Sequence, residues 1–141
     1  MNRLSVVAAC LLLAACSAQP QPPLASDRVR VTLDADVGSL VRAYRLDGVP
    51  ERSLRFDDFT PGQHELQVRF EFEVSTGGSV QGALNSGRRT CIMAVKHNFM
   101  PGQHYRFELA RRGWRPAGWL YDDHSDEPLA RASEVRCGPG V

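Results

Sequence analysis

The chain carries four histidines, His64, His97, His104 and His124, and two of them end a repeated tetrapeptide, Pro61-Gly62-Gln63-His64 and Pro101-Gly102-Gln103-His104. Histidine is the commonest metal ligand and the usual general base near neutral pH, so the repeat is either half of a site or a device for starting strands. No His-x-His or His-x-x-x-His spacing occurs. Pro-Gly suits the second and third positions of a turn, because proline presets φ and glycine accepts positive φ. Leu66, Val68 and Phe70 lie two, four and six residues after His64, whereas Tyr105, Phe107 and Leu109 lie one, three and five after His104. The two histidines therefore fall out of phase with the apolar face, where equivalent ligands of one site would be in phase. The repeat reads as a strand start. A metal-dependent enzyme using His97, His104 and His124 stays as an alternative, and no cofactor is expected.

Other constellations are weaker still. Asp122-Asp123-His124-Ser125-Asp126-Glu127 is the densest polar cluster, but it lacks the spacing and central glycine of an EF-hand and reads as an acidic turn. Gly-x-Ser-x-Gly is absent, and the glycine-rich stretch 75–89 has neither the lysine nor the strand-to-helix setting of a phosphate loop. Acidic pairs fall on the polar side of 65–74 or in loops, where raised pKa values are not expected. The chain is therefore read as non-enzymatic, with no catalytic residue assigned. Arg111, Arg112, Trp114, Arg115 and Trp119 put guanidinium groups beside indoles, a mixture enriched where proteins bind partners. The competing reading places both tryptophans in the core and the arginines in water. A small-molecule or carbohydrate site would use Trp114, Trp119 or Tyr121 as its stacking platform.

Short strands must position these groups. Residues 28–34 alternate apolar and polar, 40–46 run into the turn signal Asp47-Gly48-Val49-Pro50, and 53–59 would put Leu54 and Phe56 on one face. The clearest element is 65–74, where Leu66, Val68, Phe70, Phe72 and Val74 alternate with charged or amide side chains. A slip of one residue would exchange its faces, so its register is strongly specified. The stretch 75–89 holds four glycines and reads as a long mobile loop or a hairpin tip. Beyond it, 90–96 is apolar enough for a central strand, and further strands are expected over 105–109, 114–121 and 129–135. No helical period persists over three turns. The expected fold is all-β, a single antiparallel β-sandwich of about seven strands, immunoglobulin/transthyretin-like, with little or no helix after the N-terminal segment.

That N-terminal segment has its own logic. Arg3, the apolar run Leu4 to Ala15 and the small residues before Cys16 make a secretory signal, too short to span a bilayer as a helix. Leu13-Ala14-Ala15-Cys16 resembles a bacterial lipobox; Val7-Ala8-Ala9-Cys10 fits the same pattern but leaves too little apolar sequence before it. The resemblance implies cleavage after residue 15 and lipid, palmitate included, on Cys16, with the alternative of an ordinary secreted protein cut elsewhere. Ser17 after the cysteine is compatible with sorting to the outer membrane, periplasmic side. Each buried methylene of such lipid contributes about 0.8 kcal/mol, so several chains anchor the protein stably. Residues 16–27 contain three prolines between Pro20 and Pro23 and read as an extended tether; 28–141 form the domain.

Without residues 1–15 the chain keeps 126 of its 141 residues, enough for one core. Acidic and basic residues then balance, which leaves no electrostatic footprint for nucleic acid. Cys10 would be discarded and Cys16 lipidated, leaving Cys91 and Cys137 for a disulfide in an oxidising compartment; a redox pair would place them close as Cys-x-x-Cys. Taken together, the lipobox, the proline-rich tether, "PGQHELQV", the glycine-rich loop, "PGQHYRFEL" and "YDDHSDEPL" resemble small bacterial lipoproteins with one β-sandwich domain. Such a likeness offers no catalytic residues to carry over; the tether, the two-faced sandwich and the missing catalytic set point instead to a binding or scaffolding module for an envelope component, with an envelope protein or glycan as the expected partner.

Overall fold

The alternating stretches become nine strands in the computed structural model, which describes residues 21–74, 87–138 and 141. They are β1 (Arg30–Ala35), β2 (Leu40–Leu46), β3 (Val49–Pro50), β4 (Gly62–Val74), β5 (Gly87–Phe99), β6 (His104–Arg112), β7 (Arg115–Asp122), β8 (Pro128–Arg131) and β9 (Ser133–Cys137). Among the described residues there is no helix. The expected signal segment, Cys16 and positions 75–86 of the expected loop lie outside the described residues.

The strands form two sheets, ordered β1-β6-β7-β8 and β3-β2-β4-β5-β9. Both sheets contribute inward side chains to one core, with Val31, Phe107, Leu109 and Leu120 from the first and Leu66, Val68, Phe70, Met93 and Val95 from the second. Each sheet thereby covers the apolar face of the other, as a two-layer fold requires. In β4 the apolar residues from Leu66 to Val74 are all buried, while the intervening polar ones reach the surface. β5 lies between β4 and β9, and Ile92 to Val95 are buried on both faces, as a central strand should be. Leu46 pairs with Val49 across a two-residue turn in which Asp47 and Gly48 both have positive φ (51° and 81°). That conformation is the one Asp-Gly favours in a hairpin.

Four features differ from the sequence reading. First, the sheets are not antiparallel throughout, because β1 pairs with β6 in parallel. Parallel neighbours need a long crossover, and β2 to β5 supply it. Second, 53–59 is not a strand. Leu54 is 72% exposed while Phe56 and Phe59 are buried. This stretch bridges the sheets, with Leu54 O accepting from Ala43 N–H on one side and Phe59 pairing with Val29 on the other. Third, residues 87–89 belong to β5, continuing the ladder opposite Val74, Glu73 and Phe72. Fourth, 129–135 is two strands that part at Ala132, with β8 in one sheet and β9 in the other. These splits, with the two-residue β3, raise the count above the expected seven.

Residues 21–27 are not free of the domain. Arg30, 7% exposed, donates to both carboxylate oxygens of Asp58 (2.8 and 2.6 Å) and to the carbonyl of Pro22 (2.9 Å). Arg28 N–H donates to Ala25 O, and Gly102, at φ 71°, sits so close that a Cβ there would lie 3.2 Å from Ser26 O. The domain-proximal end of the expected tether is therefore clamped. Cys91 and Cys137 are directly paired on β5 and β9 and form the disulfide.

Candidate binding face

The outer face of the β1-β6-β7-β8 sheet collects most of the arginine and aromatic residues singled out above. Leu109 and Leu120 point into the core, so Arg106, Glu108 and Arg112 on β6 and Trp119 and Tyr121 on β7 point out. Arg106 stands opposite Tyr121, and Glu108 opposite Trp119. The Arg106 guanidinium lies over the Tyr121 ring at 5.1 Å and that of Arg112 over Trp119 at 5.6 Å. Two cation–π pairs thus follow one another along a single strand pair, a geometry that costs little solvation because the flat guanidinium is weakly hydrated. Ala110 faces Ala117 between them, and these small side chains leave room for Arg112 to lie back along the sheet.

Charge on this face is mixed. Arg106 is bonded to the Glu108 carboxylate and lies 3.8 Å from Asp123. The bond to Glu108 pushes its pKa up; burial opposes this, and the charges of Glu108, Asp123 and Asp126 add to the rise. A groove of about 280 Å³ runs beside Trp119, lined by Asp34, Asp36, Glu108, Arg112 and Tyr121 among others. It offers carboxylates, a guanidinium and ring edges together, a set suited to binding polar groups.

Of the five residues read as a partner patch, three share this face: Arg112, Arg115 and Trp119. Trp114 sits at the tip of the β6–β7 hairpin beside Gly113 (φ 65°) and is 50% exposed. Neither tryptophan is in the core, which corrects the competing reading. Arg111 is turned away: its N–H donates to Asp36 (2.9 Å) and its guanidinium to the carbonyl of Glu73 (2.7 Å). The sequence reading missed Arg106, Asp34, Asp36 and Glu108. Parity with Trp119 is enough to place Tyr121 on the face, but Arg106 becomes visible only once the β6–β7 register is known. Tyr44 on β2 forms a further pair of this kind with Arg45 and Arg69 (4.9 and 5.4 Å), isolated on the other sheet.

The histidines take different places. His64 and His104 are out of phase, as the spacing predicts: His64 shares the inner face of β4 with Leu66, and His104 lies opposite in phase to buried Tyr105. His97 is the cross-strand partner of His64 and packs edge-on against Phe99 and Tyr105 (5.2 and 5.7 Å between ring centres). His124 is exposed in the 123–127 turn. The trio His97, His104 and His124 is thus not brought together. Among the described residues no group of three or more His, Cys, Asp or Glu gathers at metal-binding distance.

His64 instead joins two turns. Its Nδ1 is 2.6 Å from Asp47 Oδ2 and its Nε2 is 2.8 Å from Thr60 O. A neutral imidazole has one N–H to donate, so either neutral tautomer satisfies only one of these contacts. Asp47 also accepts from Glu65 N–H (2.8 Å). Burial raises its carboxyl pKa, but the Glu65 bond and the contact and charge of His64 outweigh that and hold it low. No protein-family model, no curated protein and no solved structure matches this chain.

Proposed function

We propose that this protein is a non-enzymatic, lipid-anchored binding module of a bacterial cell envelope, held by lipid on Cys16 to the periplasmic face of the outer membrane. Its partner is an envelope component, and the outer face of β1-β6-β7-β8 is the surface that meets it. The observation that carries this reading is the consecutive pairing of Arg106 with Tyr121 and Arg112 with Trp119 on the outer face. Arginine and aromatic residues dominate the energetics of protein interfaces.

A protein partner is favoured over a glycan. Stacking of a sugar needs a bare ring face, and here the guanidiniums of Arg106 and Arg112 already lie over Tyr121 and Trp119. For the class of sandwich, two sheets around one core support the immunoglobulin/transthyretin-like expectation, with β1 as the parallel departure. With residues from Pro22 onward clamped, the span from Cys16 to Gln21 reaches at most about 18 Å. The domain therefore sits close to the bilayer that anchors it.

The test is site-specific photocross-linking in cells. A photoreactive residue at Arg115, on the candidate face, should capture one predominant envelope protein, and the same residue at Arg136, on the other sheet, should not. Capture from neither position, or equal capture from both, would remove support for this face. Quenching of Trp119 fluorescence by envelope glycans, without any protein adduct, would favour the glycan partner.

A further inference from the structure

The two sides of the sheet stack are built differently. On one side the chain passes from β8 to β9 through Ala132, whose N–H donates to Gly118 O (2.9 Å), and the Cys91–Cys137 disulfide holds β9 down. On the other side β1 ends its sheet, and beyond β2 there is only the two-residue β3. A cleft of about 480 Å³ opens there, with Val31, Leu33, Val41, Leu54 and Phe56 as its apolar lining.

The backbone of β1 explains why this side matters. Arg30 N–H donates to Gln103 O and Asp36 N–H to Leu109 O (both 3.2 Å), so the even-numbered residues bond to β6. In a strand the intervening residues then direct their N–H and C=O groups to the opposite side. These are Val31, Leu33 and Ala35. Both ends of the edge are stopped: Val29 exchanges two hydrogen bonds with Phe59 (2.8 and 3.1 Å), and Ala35 N–H donates to the Asp34 carboxylate (2.9 Å). Between the stops, the edge-facing groups of Val31 and Leu33 have no hydrogen-bond partner among the described residues. An open strand edge beside a cleft that is apolar along Leu33, Val41, Leu54 and Phe56, with Ser53 and Arg55 also in its lining, is a template for pairing.

We propose that the β1 edge accepts an extended segment of a partner polypeptide as an added strand. The guest exchanges backbone hydrogen bonds with Val31 and Leu33. Its alternate side chains enter the cleft against Leu33, Val41 and the exposed Leu54, and are therefore apolar. The remaining side chains fall beside Thr32 and Asp34 on the outer face, where the Asp34 carboxylate favours a basic residue as cross-strand neighbour. The guest is thus an alternating apolar and basic strand, read by backbone pairing with specificity from two or three side chains. This site adjoins the Arg–aromatic face, whose groove also includes Asp34, but its backbone pairing at Val31 and Leu33 uses neither the Arg–aromatic pairs nor the lipid anchor.

The experiment uses a capped peptide alternating Lys and Val, added to the ¹⁵N-labelled protein while amide exchange is followed by NMR. The expected result is slowing of the Val31 and Leu33 amides by about tenfold or more, with little change at Thr32 and Asp34, which are already bonded to β6. Methylating the peptide nitrogens that face β1 should abolish the effect, and methylating the alternate nitrogens should preserve it. Leu33→Pro removes the edge N–H without touching the β6 ladder, and proline is tolerated on edge strands; it should lower peptide affinity about tenfold. The methylated peptides decide the matter even if that variant does not fold. The proposal is overturned by absence of protection at millimolar peptide, by equal loss with either methylation pattern, or by protection of Val31 and Leu33 in the protein alone. Protection that rises with protein concentration, without peptide, would assign the edge to a second copy of the chain and overturn it too.

Discussion

His64 and His97 face each other across β4 and β5 on the inner side of the sheet, yet among the described residues only His64 has polar partners for its ring. His97 is held by ring contacts with Phe99 and Tyr105. Burial lowers its pKa, since a charged imidazolium would be poorly solvated there.

The pH dependence follows from the sign of that shift. The unfolded chain binds a proton on His97 at a higher pH than the folded chain does. Stability from His97 is therefore complete above about pH 6.5, the ordinary histidine value, and is lost as pH falls through the lowered folded value. Urea denaturation from pH 7.5 downward should show falling stability, and His97→Phe should flatten that slope while keeping the aromatic packing. An unchanged slope in the variant would place the acid sensitivity elsewhere.

Asp58 supplies a second, more acidic step. The hydrogen bond from Arg30 holds its carboxyl below the usual range; burial opposes this, and the charges of Arg30, Arg28 and His104 add to it. Its contribution is present above about pH 4, the unfolded carboxylate value, and disappears as pH drops through the lower folded value. Asp58→Ala leaves the 7% exposed Arg30 without its counter-charge and should cost about 2–4 kcal/mol at neutral pH. Because Arg30 also holds Pro22, the variant should be cleaved faster within 21–27 by a non-specific protease. Wild-type resistance together with wild-type stability would show that the clamp is dispensable.

Reduction tests the link between β5 and β9. The disulfide joins residues 46 apart in sequence, and in the chain-entropy model a loop of that size is worth about 4 kcal/mol. For a domain of this size that corresponds to a melting temperature lower by about 15 °C. Calorimetry with and without reductant should give a drop of that order, and Cys91→Ala with Cys137→Ala should reproduce it under oxidising conditions. A shift below a few degrees would mean that β9 is held by its hydrogen bonds alone.

What the residues announce and what they conceal divides along physical lines. β4 is legible because one face meets a core and the other meets water, so each residue from Leu66 to Val74 reports its own environment. The Asp47-Gly48 turn is legible because positive φ is a local demand. Cys91 and Cys137 are legible as a pair once Cys10 and Cys16 are read as belonging to the expected signal and anchor. Neighbour relations leave no such local trace: nothing in 28–34 distinguishes a parallel partner from an antiparallel one. The His64–His97 pair and the Arg106–Tyr121 pair both depend on register, which the intervening turns set. The 53–59 stretch misled because Leu54 and Phe56 have strand spacing while the chain there crosses between sheets. The break at Ala132 is hidden because 129–135 alternates only weakly, and Leu129 and Val135, the large apolar residues that suggest a buried face, are both exposed.

That crossing is the site of a final prediction. Gly118 on β7 accepts from Ala132 N–H, and a Cβ at Gly118 would lie 2.8 Å from Leu109 Cδ1, 3.1 Å from Ala132 Cβ and 3.2 Å from Glu108 O. Leu109 is 1% exposed and has nowhere to swing, and a backbone oxygen cannot move without disturbing β6. Gly118→Ala should therefore destabilise by about 1–3 kcal/mol through overpacking, although alanine is ordinarily the better residue in a strand. Gly87→Ala is the matched control, because nothing lies within 4 Å of a Cβ there; it should be neutral or slightly stabilising. Combining Gly118→Ala with Leu109→Ala should cost less than the sum of the two single changes, since the second removes the atom the first collides with. Strict additivity would mean that β7 shifts to absorb the methyl, and that the tight passage of the chain at Ala132 does not constrain the sheet.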